Sequence, residues 1–343
     1  MLRPRKPKFV REILIDIWKG HFALILQFKD TKLSPNDELT LEVNEDPDLF
    51  SRLEVDTAIR ETKKRKSGSP DNILNEHLRK AAPIFSEIWT TLFNECLRRT
   101  VIPKQWRNAT VKVLYKGTGY PESPHSYRSI ALECALYKVF TKLVTKRLMN
   151  RIEHKIPEEQ FGFRKGRSAV QAISCMLDDI NEALRLPKGK LFAIFVDYTK
   201  AFDYINRTML IEKLSKVLGP QDHLTRLVTS ILARNTVRIE DSLSVSRPLE
   251  QTNGVLQGNP LSPLMFNIET RDVIEHVRTE GVKAYLYADD MALVSTSKED
   301  LQTAFDRLSQ WAEANDLTLN QKKTVSMTFK KWRKTSSDGR LLL

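Results

Sequence analysis

Cysteine is scarce. The 343 residues hold three, Cys96, Cys134 and Cys175, far apart and with no Cys-x-x-Cys pair. This argues against a zinc site or a disulfide framework and fits a reducing, intracellular setting. Long apolar runs are missing too. The best, Phe22 to Phe28, falls far short of a membrane span. The basic N-terminus (Arg3, Arg5, Lys6, Lys8, Arg11) is not followed by the apolar core of a secretory signal. The expectation is an intracellular chain, nuclear and/or cytoplasmic, without membrane contact. There is no internal repeat and no long low-complexity linker.

What the chain has in excess is positive charge. The net charge is +12, in an otherwise ordinary composition of 41% hydrophobic and 29% charged residues. A surplus of this size favours a polyanionic partner. The length allows two or three packed subdomains. Periodicity predicts helices at 9–29 (Ile13, Ile17 and Leu24 among the apolar positions), 51–66, 74–100 with a break near Pro83, 133–154, 168–186, 206–218, 221–234, 260–279 and 298–315. Strands are expected around 111–115, at 191–196, in a hairpin of 236–241 with 243–249, in two strands over 283–296 and at 324–329. Mixed elements of this kind read as an α+β sheet with helices on one face.

Three carboxylates stand out. Asp197 ends the wholly apolar run Leu191–Val196, and Asp289-Asp290 sit where two apolar segments meet. Aspartate is at home in turns, so the Asp-Asp pair alone points to no chemistry. Three carboxylates gathered on one sheet would suit phosphoryl transfer, because two Mg²⁺ ions roughly 3.5–4 Å apart can clamp the attacking and leaving oxygens. Spacing alone cannot bring them together.

The surrounding residues carry a resemblance. Phe195-Val196-Asp197-Tyr198-Thr199-Lys200-Ala201-Phe202-Asp203, Gly254-Val255-Leu256-Gln257-Gly258-Asn259-Pro260-Leu261-Ser262-Pro263, Tyr287-Ala288-Asp289-Asp290 and Leu319-Asn320-Gln321-Lys322-Lys323-Thr324 resemble motifs A, B, C and D of non-LTR (LINE-type) retrotransposon reverse transcriptases. Upstream, Tyr127-Arg128-Ser129-Ile130 is similar to the family's fingers motif. Gln160-Phe161-Gly162-Phe163-Arg164-Lys165-Gly166-Arg167-Ser168 is similar to its QFGFRxGRS element. Each motif is weak alone; together, in this order, they are specific, and they span about residues 50 to 330.

The resemblance implies a right-hand polymerase fold: an antiparallel palm sheet with helices and a largely helical fingers subdomain. Its expected boundaries are an N-terminal helical extension (1–50), fingers (51–189), palm (190–330) and a disordered tail (331–343). It implies an RNA-directed DNA polymerase that adds dNTPs to a DNA primer on an RNA template. Asp197, Asp289, Asp290 and the Tyr198 backbone carbonyl would hold two Mg²⁺ ions, with Mn²⁺ as the alternative, and Lys323 would be a proton donor. Arg128, Tyr198, Phe202, Gln257 and Gly258 would meet the nucleotide, Phe202 as a steric gate against a 2′ hydroxyl. Arg164, Lys165 and Arg167 would line the template-primer path. Lys322 is adjacent to Lys323, so that role could slip by one residue. Two departures are local: Ser129 stands for a proline, and Asn72 for a glycine in Ser67–Asn72, where asparagine tolerates positive φ. The thumb is expected to be missing or truncated. A remnant that binds nucleic acid without polymerising is therefore the alternative. Oligomeric state is not legible.

Overall fold

The structure, a computed structural model, describes residues 15–27, 48–68, 70–241 and 244–331. In chain order the helices are α1 (Ile15–Leu26), α2 (Arg52–Arg60), α3 (Asn75–Arg99), α4 (Ala135–Ile152), α5 (Ala169–Arg185), α6 (Ala201–Tyr204), α7 (Arg207–Leu218), α8 (His223–Leu232), α9 (Ser262–Glu269), α10 (Val273–Val277) and α11 (Lys298–Ala314). The strands are β1 (Asn108–Tyr115), β2 (Tyr127–Leu132), β3 (Lys190–Val196), β4 (Asn235–Glu240), β5 (Leu249–Gln251), β6 (Val282–Tyr287), β7 (Asp290–Ser295) and β8 (Val325–Lys330). Side-chain caps start several helices: Ser51, Ser168, Asn206, Asp222 and Ser297 each accept a first-turn backbone N–H.

The chain packs as two compact units, each discontinuous in sequence: Met1–Lys155 with Phe202–Glu269, and Ile156–Ala201 with Thr270–Leu343. The first holds a sheet of order β2-β1-β4-β5, in which β1 runs antiparallel to β2 but parallel to β4. Helix α1 covers this sheet. Its Trp18, Phe22, Ile25 and Leu26 join Val111, Val237 and Ile239 in one core, so the N-terminal helix is part of the unit's core. Ile17 and Leu24, expected on the apolar face, are exposed, because the two bulky rings orient the helix. Much of the basic charge on α4 is spent on ion pairs inside the unit. Lys142 pairs with Glu61, Arg147 with Asp48 and Glu54, and Arg151 with Asp222.

The second unit holds an antiparallel sheet, β6-β7-β3-β8, with β3 paired on both sides. Helix α5 covers it through Ile180 and Ala183 on Leu191, Ala193 and Val294.

Several boundaries differ from the sequence reading. Helix α2 stops at Arg60, and the basic run Lys63–Lys66 lies beyond it. Asn75 and Arg79 donate to the carbonyls of Lys63 and Thr62, and Glu76 takes the Arg65 N–H, so the chain peels off onto α3. Helix α3 runs unbroken through Pro83, whose ring sits on the exposed face. The segment expected as one helix over 260–279 is two, because Thr270–Asp272 form a turn closed by the Val273 N–H on the Thr270 carbonyl. The second strand of the expected 236–249 hairpin is confined to Leu249–Gln251, with Val245 making an isolated bridge to Glu240. Asn72 has φ +56°, as the expected turn requires. The basic N-terminal residues and the expected tail beyond residue 331 lie outside the described residues.

Candidate active site

Strand β3 delivers Asp197 at its end, and the β6–β7 hairpin delivers Asp289 and Asp290. Tyr287 pairs with Asp290, so the turn consists of Ala288 and Asp289, and Asp290 opens β7. Because β7 pairs with β3, with Met291 opposite Val196, the two ends bearing carboxylates are neighbours on one sheet. The charges report this nearness. Burial first, then the charges of Asp290 and Asp197, push the Asp289 carboxyl above its ordinary value, against its own backbone N–H and Lys323, which pull it down.

The hairpin turn is strained: Ala288 has φ +58°, a conformation costing an L-residue roughly 1–2 kcal/mol. The segment 159–162 supports it. The Phe161 N–H donates to the Leu286 carbonyl (2.8 Å), and the Leu286 N–H to Glu159 (2.9 Å). The Gln160 side chain is 2% exposed, and its Oε1 accepts the N–H groups of Gly162 (2.8 Å) and Ala288 (3.0 Å). A Cβ on Gly162 would lie 2.3 Å from the Ala288 nitrogen, so only glycine fits. These supporting roles of Gln160 and Gly162 went unread in the sequence; the Gln-x-Gly spacing beside an apolar Phe was the available signal.

The residues of motif D clamp Asp197 from the other side. The Asn320 N–H donates to the Asp197 carbonyl (2.8 Å), and the Asp197 N–H to Thr324 Oγ1 (3.3 Å). The Lys323 ammonium lies 3.5 Å from Asp197 Oδ2, whereas Lys322 only turns its backbone N–H to Asn320 Oδ1. Of the two adjacent lysines, Lys323 is the one whose ammonium reaches Asp197. Tyr198 is buried and bridges Leu319.

Arg164 and Arg167, expected along the template, are turned inward. Arg164 donates to the carbonyls of Pro157 (2.6 Å) and Gln160 (3.1 Å), and Arg167 to Glu158 while lying over the Phe161 ring. They brace the loop that braces the hairpin. Lys165 is exposed.

The remaining expected residues belong to the first unit. Arg128 is exposed on β2. The Ala131 N–H of that strand donates to the Gln257 carbonyl (2.9 Å), so β2 and the loop carrying Gln257 lie side by side. Gly258 has φ +117°, and a Cβ there would sit 3.0 Å from the Ala131 carbonyl oxygen. The Phe202 ring stacks on Phe266 at 4.7 Å, and its carbonyl accepts the Val255 N–H.

Among the described residues, no three His, Cys, Asp or Glu side chains form a ready-made metal cage. The donor set nevertheless suits a hard cation. Asp197 Oδ2 is buried without a hydrogen bond and faces an ammonium. Mg²⁺ commonly takes one or two carboxylates and completes its shell with substrate phosphates and water. A cavity of about 300 Å³ lies between α5 and the sheet, lined by Asp179, Leu191, Lys283 and Val294; it contains none of the three aspartates.

A family described as reverse transcriptase (RNA-dependent DNA polymerase) matches residues 115–338. The chain belongs to the reverse transcriptase family. Its curated relatives come from non-LTR retrotransposons. The probable RNA-directed DNA polymerase from transposon BS of Drosophila melanogaster is 31% identical over 323 residues, covering 90% of this chain and 35% of the relative. The RNA-directed DNA polymerase from mobile element jockey, also of Drosophila melanogaster, is 28% identical over 80% of this chain and 31% of the relative. The chain thus spans about a third of the length of those relatives. Among solved structures, a telomerase from Candida tropicalis in complex with a fragment of telomeric RNA aligns with TM-score 0.52 at 13% identity, covering 79% of this chain and 47% of that one. That likeness establishes a shared fold. No described helix is long and apolar enough to cross a membrane.

Proposed function

We propose that this chain is the polymerase core of a non-LTR retrotransposon reverse transcriptase, adding dNTPs to a DNA primer 3′ hydroxyl opposite an RNA template. The observation that carries this is the meeting of Asp197 with the Asp289-Asp290 hairpin on one rigid sheet, clamped by residues 159–162 and 320–324. Rigid carboxylates suit chemistry that consists mostly of positioning and charge neutralisation.

Asp197, Asp289, Asp290 and the Tyr198 carbonyl would hold the divalent ions, Mg²⁺ or Mn²⁺, which when bound supply Lewis-acid stabilisation to the reacting oxygens. Lys323, on an exposed and mobile-stemmed side chain, would exchange its ion pair with Asp197 for the pyrophosphate leaving group and give it a proton. Arg128 would take up triphosphate oxygens, a task that suits a planar fork. Gln257 and Gly258 would lie along the nucleotide. Phe202, fixed by its stack on Phe266, would exclude a 2′ hydroxyl. Lys165, exposed, would meet the template-primer; Arg164 and Arg167 would act there by shaping the loop. Residues 51–189 would serve as fingers and residues 190–330 as palm.

The test is primer extension on an RNA template with Mg²⁺ titrated. Asp289→Asn is expected to abolish extension while leaving RNA affinity within about twofold, since affinity rests on phosphate contacts elsewhere. Extension that survives this change would remove the metal-ligand role. Salt-sensitive RNA binding by the wild type without incorporation would instead support the non-polymerising alternative.

A further inference from the structure

The loop carrying Gln257 and Gly258 hangs between two buried polar groups that the proposed chemistry does not use. At one end is Arg207, at the first position of α7 and 2% exposed. Its guanidinium donates to three backbone carbonyls: Nε to Gly254 (2.9 Å), and Nη1 to Gln251 (2.7 Å) and to Leu232. Those carbonyls end β5, end α8 and begin the loop. No carboxylate pairs with it among the described residues, and burial pulls its pKa down to about 9. A buried cation without an anion is expensive, and an apolar side chain of similar size would serve packing better. What the guanidinium adds is a planar fork of fixed donors where three segments converge.

At the other end Glu133, 4% exposed, accepts the Asn259 Nδ2 through Oε1 at 2.9 Å, while its buried Oε2 has no partner. Asn259 in turn takes the Leu261 N–H on its own Oδ1 (2.8 Å), fixing the entry to α9. Between the two ends, the Gln257 carbonyl is held by Ala131, and Gly258 lies against the same residue. Gly254 is locked as well: φ is +70°, and a Cβ would meet the Asp203 carbonyl oxygen at 2.4 Å. Glu133, Tyr137, Arg207 and Asn259 all line one small cavity of about 20 Å³, room for a single water.

We propose that Arg207 and the Glu133–Asn259 pair are positioning residues for the incoming nucleotide: two posts that fix the backbone of residues 254–259 so that Gln257 and Gly258 meet the dNTP at a set depth. This rests on the nucleotide role proposed for that loop. Neither post touches substrate. Their loss should therefore act on nucleotide affinity and leave template-primer binding alone.

The experiment uses the full chain with Arg207→Lys, which keeps the charge but cannot reach three carbonyls, and with Asn259→Ala. Hydrogen exchange at the amides of residues 254–259 is measured first, because it needs no activity. Both variants should raise exchange there about tenfold, the loss of roughly one charged hydrogen bond, while amides of β1 and β4 stay protected. Single-nucleotide incorporation is measured second. The KM for dNTP should rise about tenfold, kcat should stay within about threefold and template-primer Kd should not move. Unchanged loop exchange in either folded variant overturns the posts. A loosened loop with unchanged KM overturns their link to the nucleotide. If Arg207→Lys does not fold, Asn259→Ala decides from the other end. A wild type that never incorporates dNTP sinks the polymerase reading, while the exchange result still judges the posts.

Discussion

Glu133→Gln should make this protein more stable, and only above mildly acidic pH. Glu133 is buried between β2 and α4, and burial raises its carboxyl from an ordinary 4.5 to about 7, against the Asn259 hydrogen bond and the charge of Lys138. Around it stand the buried Tyr137 on α4 and Arg207 on α7, both lining the same cavity. The folded protein therefore holds a proton that the unfolded chain releases at lower pH. Between about 4.5 and 7 the unfolded state binds fewer protons, so stability falls as pH rises through this window and the full cost stands above it. At about 1.4 kcal/mol per pH unit of displacement, the cost reaches roughly 3 kcal/mol, and solvent screens little of it because the group is enclosed.

Glutamine keeps the shape and the acceptor for Asn259 and carries no charge. Its second terminal atom faces the place of the unpartnered Oε2, where one water fits. Urea unfolding of wild type and variant should give equal stabilities near pH 4.5 and a variant ahead by about 2–3 kcal/mol at pH 8. Subtracting the two curves cancels the other carboxylates. A difference that stays flat across that range would mean that Glu133 ionises freely in the fold, and the enclosed-acid reasoning would fail.

The other expectations concern the sheet that bears the three aspartates and the gate proposed at Phe202. Gly162→Ala should cost roughly 1–3 kcal/mol, because its methyl meets the Ala288 nitrogen, and should abolish primer extension by displacing the hairpin; a variant with wild-type melting and activity would refute the close approach. Phe202→Ala should admit rNTPs while losing the Phe266 stack, worth about 0.5–1.5 kcal/mol, and an unchanged dNTP-to-rNTP ratio would end the gate assignment. Lys323→Ala should leave stability within about 1 kcal/mol, since the lysine end of its ion pair is largely exposed, while slowing incorporation tenfold or more; equal rates would exclude proton donation.

How much of this was legible beforehand depends on which atoms do the work. The roles proposed for the carboxylates, Phe202 and the Gln257-Gly258 pair rest on side chains or conformations that a short motif carries, so residue wording alone could suggest them. Helix α4 was readable from its local apolar periodicity, and α5, α7, α8 and α11 from periodicity together with local caps. What stayed hidden acts through backbone atoms of distant segments. Nothing near Arg207 in sequence announces that Gly254, Gln251 and Leu232 will bring their carbonyls to it. Arg164 and Arg167 read as template-primer contacts, and their bracing role stayed hidden because their acceptors, the carbonyls at 157, 158 and 160, carry no side-chain signature. The parallel pairing of β1 with β4 was unreadable for the same reason: over a hundred residues separate the strands, and their alternation fits either sheet direction.

The two strained loops share a construction, which argues that the support is as specific as the groups supported. Each contains a residue in a left-handed conformation, Ala288 in one and Gly258 in the other. Each is held by a buried polar side chain from elsewhere, Gln160 Oε1 on the Ala288 N–H and Arg207 Nε on the Gly254 carbonyl. Each has a glycine where a β-carbon would strike backbone, Gly162 against Ala288 and Gly254 against Asp203. Backbone strain persists only where the surroundings over-determine it. An aspartate or a glutamine could be moved into such a loop on another protein, but without its buried partner the loop would relax and the group would lose its position. Catalytic competence in this chain should accordingly be as sensitive to Gln160 and Arg207, which touch no substrate, as to several residues that do.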